Sequence, residues 1–162
     1  MKIVFLGGPR GAGKSTLINK VSKEFPEVHT FHLKYVLLHA NAQGISPEEY
    51  VTRVAAGKKV VLIDGKFANT PSNLRNLATA SYFQDGAGFF PSASKFVFMS
   101  APEKVLNERM KNDKKKRKQN PRALLAEWTA MRLFEKPVEH IDSTDQREAH
   151  RALRKIVLQE MR

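Results

Sequence analysis

Short, fully apolar runs alternate with segments of helical period along most of this chain. Residues 2–6 (Lys-Ile-Val-Phe-Leu) read as a buried strand that stops at Gly7-Gly8. From Ser15 to Phe25, Leu17, Ile18 and Val21 fall on one helical face, and Pro26 ends the segment. A second apolar stretch surrounds Val28 to Leu33, followed by a predicted helix over Lys34–Ala42 before Gly44. Ser46-Pro47-Glu48-Glu49 predicts a helix start: Ser46 as cap, Pro47 at the first position and Glu49 closing a capping box. That helix is expected to run to about Ala56 and stop at Gly57.

Val60–Ile63 then reads as a fully buried strand closed by Asp64-Gly65, and Phe96–Met99 as another. Ser100-Ala101-Pro102-Glu103 is expected to open a helix with the same capping chemistry, its inner face formed by Val105, Leu106 and Met110. Asn120-Pro121 starts a further helix with Leu124, Trp128 and Met131 at helical spacing. Val138–Ile141 reads as a short strand, and Asp142-Ser143-Thr144-Asp145-Gln146 caps a last helix that turns Leu153, Ile156 and Val157 inward. Continuous apolar strands alternating with helices predict an α/β fold: a parallel sheet covered on both faces, in three α/β/α layers. Ligands in such sheets bind outside the carboxyl ends of the strands. Gly8–Ser15, Asp64 and Asp142–Gln146 all follow strands and should converge at that rim.

Composition narrows the picture. A length of 162 residues, 41% of them hydrophobic, suits one domain over 1–162 with a real core. With no cysteine there is no disulfide scaffold and no thiolate metal site, and the cytoplasm is the expected location. No apolar run approaches the roughly 20 residues that cross a bilayer, so no membrane partner is expected. The net charge of +12 favours polyanionic partners. Much of it is local: between Arg109 and Arg122 stand eight basic residues against one acid, Asp113.

The segment Gly8-Pro9-Arg10-Gly11-Ala12-Gly13-Lys14-Ser15 matches the P-loop pattern G-x-x-x-x-G-K-[ST]. A random chain of this length matches about once in 150 to 200 tries at ordinary composition, and here the match also lies between a strand and a helix. Glycines let successive N–H groups point into one concavity, and the following helix adds its positive end. Gly8, Arg10, Gly11, Ala12, Gly13, Lys14, Ser15 and Thr16 are therefore expected to hold the phosphates of ATP, with Lys14 as the catalytic cation. Ser15 and the strand-tip acid Asp64 are the expected Mg²⁺ residues. For Asp64 the competing reading is an Asp-Gly turn.

Three readings of the run 109–122 stand open. It is a lid whose Arg109 and Arg117, with Arg132 beyond it and Lys115 as a fourth, grip the transferring phosphoryl group. It is a nucleic-acid patch, though no aromatic residue is present for base stacking. Or it is a solvated charge run. For the acceptor, a hydroxyl usually needs a general base. Between Ser15 and Ile63 the only acids are Glu24, Glu27, Glu48 and Glu49, none directly after the second strand. A phosphate acceptor needs cations instead, and His32, Lys34, Arg53 and Lys66 flank the expected cleft, mostly within an acceptor region at 30–58.

Taken together, the P-loop, the Asp64-tipped strand, the Ala101-Pro102-Glu103 helix entry, the Arg109/Arg117 spacing and the 142–146 loop resemble the P-loop nucleoside monophosphate kinases. Thr70-Pro71, Arg109-Met110 and Met131-Arg132 look most like the archaeal type of adenylate kinase. The resemblance implies ATP + NMP ⇌ ADP + NDP with Mg²⁺, and it implies that Asp142 and its loop lie along the adenine. The chain departs from that pattern in its short stretch before Val60, in Lys115 where an Arg is expected, and in Gly65-Lys66. The alternatives are a kinase of another small acceptor or polynucleotide end, with Asp64 or a His as base, and a nucleic-acid-associated ATPase.

Overall fold

The computed structural model describes residues 1–69, 84–112 and 121–162. In chain order the elements are strand β1 (Lys2–Gly7), helix α1 (Lys14–Glu24), β2 (Val28–His32), α2 (Leu33–Gln43), α3 (Pro47–Val54), β3 (Val60–Asp64), β4 (Ala68–Asn69) and β5 (Gln84–Asp85). After a 3-10 turn at Ala87–Phe89 come β6 (Lys95–Ser100), α4 (Glu103–Lys111), α5 (Pro121–Leu133), β7 (Glu139–Asp142) and α6 (Gln146–Glu160). The predicted three-layer α/β architecture is the one observed.

Five strands form one sheet in the order β2-β3-β1-β6-β7, every neighbour parallel. Because side chains alternate across a strand, each buried run feeds two cores. Val4, Leu6, Leu62, Val97 and Met99 pack with Leu17, Ile18 and Val21 of α1 and Leu153 and Ile156 of α6. Ile3, Phe5, Val61, Ile63 and Phe98 pack on the other face with Leu33 and Val36 of α2 and Val51 of α3. Phe5, Phe67, Phe90 and Phe98 are fully buried in this second core. Each contributes about 1.5–3 kcal/mol relative to an exposed ring. Phe67 and Phe90 belong to the stretch after Asp64, where no periodic pattern predicts an element; β4 and β5 are short and pair with each other, β4 against α5, while Phe67, Ala87 and Phe90 anchor the stretch in the second core.

Two of the three expected cap assignments differ in the structure. Ser46 Oγ accepts from Glu49 N at 3.1 Å, but the Glu49 carboxylate takes Arg53 at 2.6 Å instead of closing the box. Ser100 does not cap α4. It continues β6 opposite Asp142, and its carbonyl is taken by Ser143 N at 2.8 Å, so α4 starts after Pro102 with no side-chain cap. The third is as expected: within the 142–146 segment Asp145 caps α6, its Oδ1 accepting from Arg147 N and Glu148 N, while Asp142 accepts from Thr144.

Candidate active site

The strand register brings the predicted residues to one rim. Leu6, the last residue but one of β1, lies opposite Asp64, and Asp64 lies opposite His32. The chain leaves β1 into the glycine loop through Gly8, at φ 142°, where an added Cβ would stand 1.9 Å from the Met99 carbonyl oxygen. Gly13, at φ 86°, is the left-handed residue that turns the loop into α1, with the Gln146 amide 3.0 Å from where a Cβ would be. Only glycine meets both demands, the one steric and the other conformational.

Lys14 sits at the first turn of α1, and its ammonium donates to the carbonyls of Gly8 and Pro9, bridging the loop. Burial pulls its pKa below the usual lysine value, opposed by the charges of Asp64 and Glu127. Ser15 Oγ donates to Asp64 Oδ2 at 2.7 Å, and His32 Nδ1 lies 3.1 Å from the same oxygen. Asp64 is 8% exposed, so this carboxylate is committed to the rim and is not a solvated turn residue. A hydroxyl and one carboxylate beside a phosphate loop suit Mg²⁺, a hard cation that takes oxygen ligands, uses one or two carboxylates and completes its shell with phosphate and water. Among the described residues no cluster of three or more His, Cys, Asp or Glu could hold a metal without such help.

The other predicted residues divide. Lys66 is partly buried next to the loop, its pKa lowered by burial and then by the nearby Arg10. Lys34 is exposed on the first turn of α2. Arg53 is spent on Glu49 at the surface of α3. The structure therefore brings His32 and Lys66 to the phosphate loop and leaves Lys34 and Arg53 outside it.

Arg109, at the end of α4, donates to Gly11 O at 3.2 Å, to Ser143 Oγ at 3.2 Å, to the Ser143 carbonyl and to Thr144 O at 3.3 Å. Its guanidinium is thus spent on neutral oxygens and frames the 143–144 loop against the P-loop. Asp142, its pKa lowered by hydrogen bonds from Thr144, shapes the same loop from inside. Arg132 lines an apolar groove between α4 and α5, with Pro102, Leu106, Leu125 and Trp128. Arg117, Lys115 and Thr70-Pro71 lie outside the described residues, as does most of the basic run.

Sequence reasoning missed Glu127. It is 1% exposed, and it accepts from Gly8 N at 3.0 Å, Phe67 N at 2.6 Å and Ala68 N at 2.9 Å. A signal existed: Glu127 falls on the buried face of α5 with Leu124 and Met131, an acid in an otherwise apolar stripe.

No known family model matches the chain, and no curated protein matches it in sequence. Among solved structures, a gluconokinase from Sinorhizobium meliloti 1021 is similar over 98% of this chain and 97% of its own, with a TM-score of 0.51 and 17% identity. An unliganded sugar kinase from Janibacter sp. HTCC2649 is similar over 94% of this chain and 92% of its own, with a TM-score of 0.54 and 16% identity. At such identity the likeness is one of architecture. The fold shared with these kinases is the P-loop kinase fold expected from the strand pattern and the glycine loop.

Proposed function

We propose that this protein is an ATP-dependent phosphotransferase that moves the γ-phosphoryl group of ATP, with Mg²⁺, to a small anionic acceptor, a nucleoside monophosphate foremost. The observation that carries the reading is the 2.7 Å bond from Ser15 to Asp64, which joins the phosphate loop to an acid at the tip of the adjacent strand. Main-chain amides of the glycine loop beyond Pro9 and the Lys14 ammonium would hold the triphosphate, since Gly8 N is already committed to Glu127, and Ser15 and Asp64 would hold Mg²⁺. The ion, when bound, neutralises charge on the β- and γ-phosphate oxygens. No covalent enzyme intermediate is needed, because transfer of this kind depends on alignment and charge.

The anionic acceptor is supported by Lys66. Its ammonium stands near Arg10 and Lys14, while Glu127, whose charge also acts on it, has both oxygens occupied by backbone N–H groups. A partly buried lysine beside the phosphate loop suits a second anion. The Arg109-framed loop at 142–144 is assigned to the nucleoside half of ATP.

One observation favours a second reading. His32 Nδ1 lies on Asp64 Oδ2, and an imidazole held by a carboxylate is a familiar arrangement for taking a proton from a hydroxyl. A sugar or sugar-acid hydroxyl would then be the acceptor, as the names of the two similar structures suggest.

The deciding experiment incubates the protein with Mg-ATP and panels of nucleoside monophosphates, sugars and sugar acids, following ADP. Turnover with a monophosphate supports the first reading, and turnover with a sugar or sugar acid the second. ADP formed only when nucleic acid is added overturns both. Lys14→Ala should abolish ATP binding by calorimetry. Asp64→Asn should depress Mg²⁺-dependent turnover far more than metal-free nucleotide binding.

A further inference from the structure

Glu127 is a costly residue to place where it is. Removing a carboxylate from water is strongly unfavourable unless hydrogen bonds replace the lost hydration. Among the described residues no cation makes an ion pair with it. Three backbone donors replace the water instead, and they come from two separate loops. Oε1 takes both Gly8 N, the first amide of the phosphate loop, and Phe67 N, while Oε2 takes Ala68 N. Gly8 lies past the paired end of β1, and Phe67 precedes β4, so neither amide has a ladder partner in the sheet. Burial pushes the Glu127 pKa up, and the same three amides oppose that push.

We propose that Glu127 is a positioning residue that locks the phosphate loop and the 65–68 loop into one frame. Gly8 is then trapped between the Glu127 carboxylate on one side and the Met99 carbonyl on the other. Phe67 is pinned twice, by its N–H on Glu127 and by its carbonyl, which accepts from Gly86 N at 2.7 Å. Lys66 directly precedes Phe67, so its peptide link to Phe67 ends on the N–H that Glu127 holds. Lys14 belongs to the donor side of the site and Lys66 to the acceptor side, so this carboxylate sets the spacing between the two halves without touching either substrate. Charged acceptors make the stronger hydrogen bonds, and two oxygens are needed for three donors in this geometry. A glutamine keeps one oxygen but turns an N–H₂ toward Ala68 N, donor against donor.

This inference rests on the kinase reading, and the test separates the two. Turnover of Mg-ATP by the wild-type protein, with water or with an acceptor from the panels, tests the reading itself. The ratio of variant to wild type tests Glu127. In the full chain, Glu127→Gln is expected to keep its Mg-ADP Kd within about threefold by calorimetry, while kcat falls about 10- to 100-fold, the range expected when reacting groups are misplaced by an ångström. Leu124→Ala, on the same buried face of α5, is expected to lower the melting temperature while kcat stays near wild type. Because Glu127 acts through Lys66, Lys66→Ala combined with Glu127→Gln should be no slower than Lys66→Ala alone. An unchanged kcat in folded Glu127→Gln, an equal kcat loss in Leu124→Ala, additive losses in the double variant, or a Mg-ADP Kd weakened tenfold or more would each overturn the proposal. Should Glu127→Gln not fold, hydrogen exchange on the wild-type chain decides. Protection of the Gly8, Phe67 and Ala68 amides rising together on Mg-ADP addition supports the shared frame, and a response at Gly8 alone refutes it.

Discussion

At the residue scale, positive φ means different things at different glycines. Gly57, at φ 89°, ends a helical segment with nothing within 4 Å of where a Cβ would stand, whereas Gly8 would drive its Cβ into the Met99 carbonyl. Gly57→Ala should therefore cost about 1–2 kcal/mol of backbone strain and leave nucleotide binding intact. Gly8→Ala should add a clash that only movement of the phosphate loop relieves, and calorimetry with Mg-ADP should show binding lost. Wild-type affinity in Gly8→Ala would mean that the loop tolerates a shift the structure does not suggest. Asp64 illustrates the same scale from the polar side: one oxygen serves both Ser15 and His32, so any substitution there disturbs the P-loop and the end of β2 together.

At the element scale, caps separate local chemistry from tertiary demand. Ser46 uses its own hydroxyl on Glu49 N, so Ser46→Ala should lower stability by about 1 kcal/mol. Ser100 serves through its backbone carbonyl, accepting from Ser143 N, so Ser100→Ala should fall within about 0.5 kcal/mol of wild type. Chemical denaturation of the pair checks both, and equal losses would contradict the assignment of α4's start. The reason for the difference lies in strand pairing. Opposite Asp142, Ser100 is drawn into β6, and a residue in a strand cannot also cap the helix that begins three positions on. The expected capping box at 46–49 was half right for a similar reason: Arg53, one turn along, competes for the Glu49 carboxylate.

At the scale of the whole molecule, α1 and α6 cover one face of the sheet and pack against each other. Glu24 Oε2 accepts from Arg154 Nε at 2.9 Å, and His150 lies against the other oxygen. The Arg154 hydrogen bond foremost, then His150, holds the Glu24 pKa below its ordinary 4.5. A carboxylate whose folded pKa is depressed adds stability that is present above the unfolded value and is lost as pH falls through the folded one. Glu24→Gln should therefore melt below wild type at pH 7, and the gap should close as the pH drops below 4.5 and the wild-type carboxylate protonates. Because the pair is solvent-accessible, the gap should be small and should shrink in high salt. A gap that persists unchanged at acid pH would assign the effect to packing instead.

What the amino-acid sequence determined by itself was whatever depends on neighbours a few positions apart. Apolar runs of strand length, helical stripes such as Leu17-Ile18-Val21, and the glycine loop before Lys14 are all local, because backbone angles and side-chain period are set within a turn or two. The acid at the tip of β3 was readable too, since a strand end marks a rim in any parallel sheet. What only the tertiary structure decided was how charges are spent. Glu127 reaches an amide 119 positions away, and Arg109 reaches the Gly11 carbonyl across 98. Arg53 and Arg109 carry the same guanidinium, yet one pairs with Glu49 at the surface and the other frames a loop. No local pattern distinguishes them, because a charged side chain takes whichever partner the fold brings within hydrogen-bonding distance.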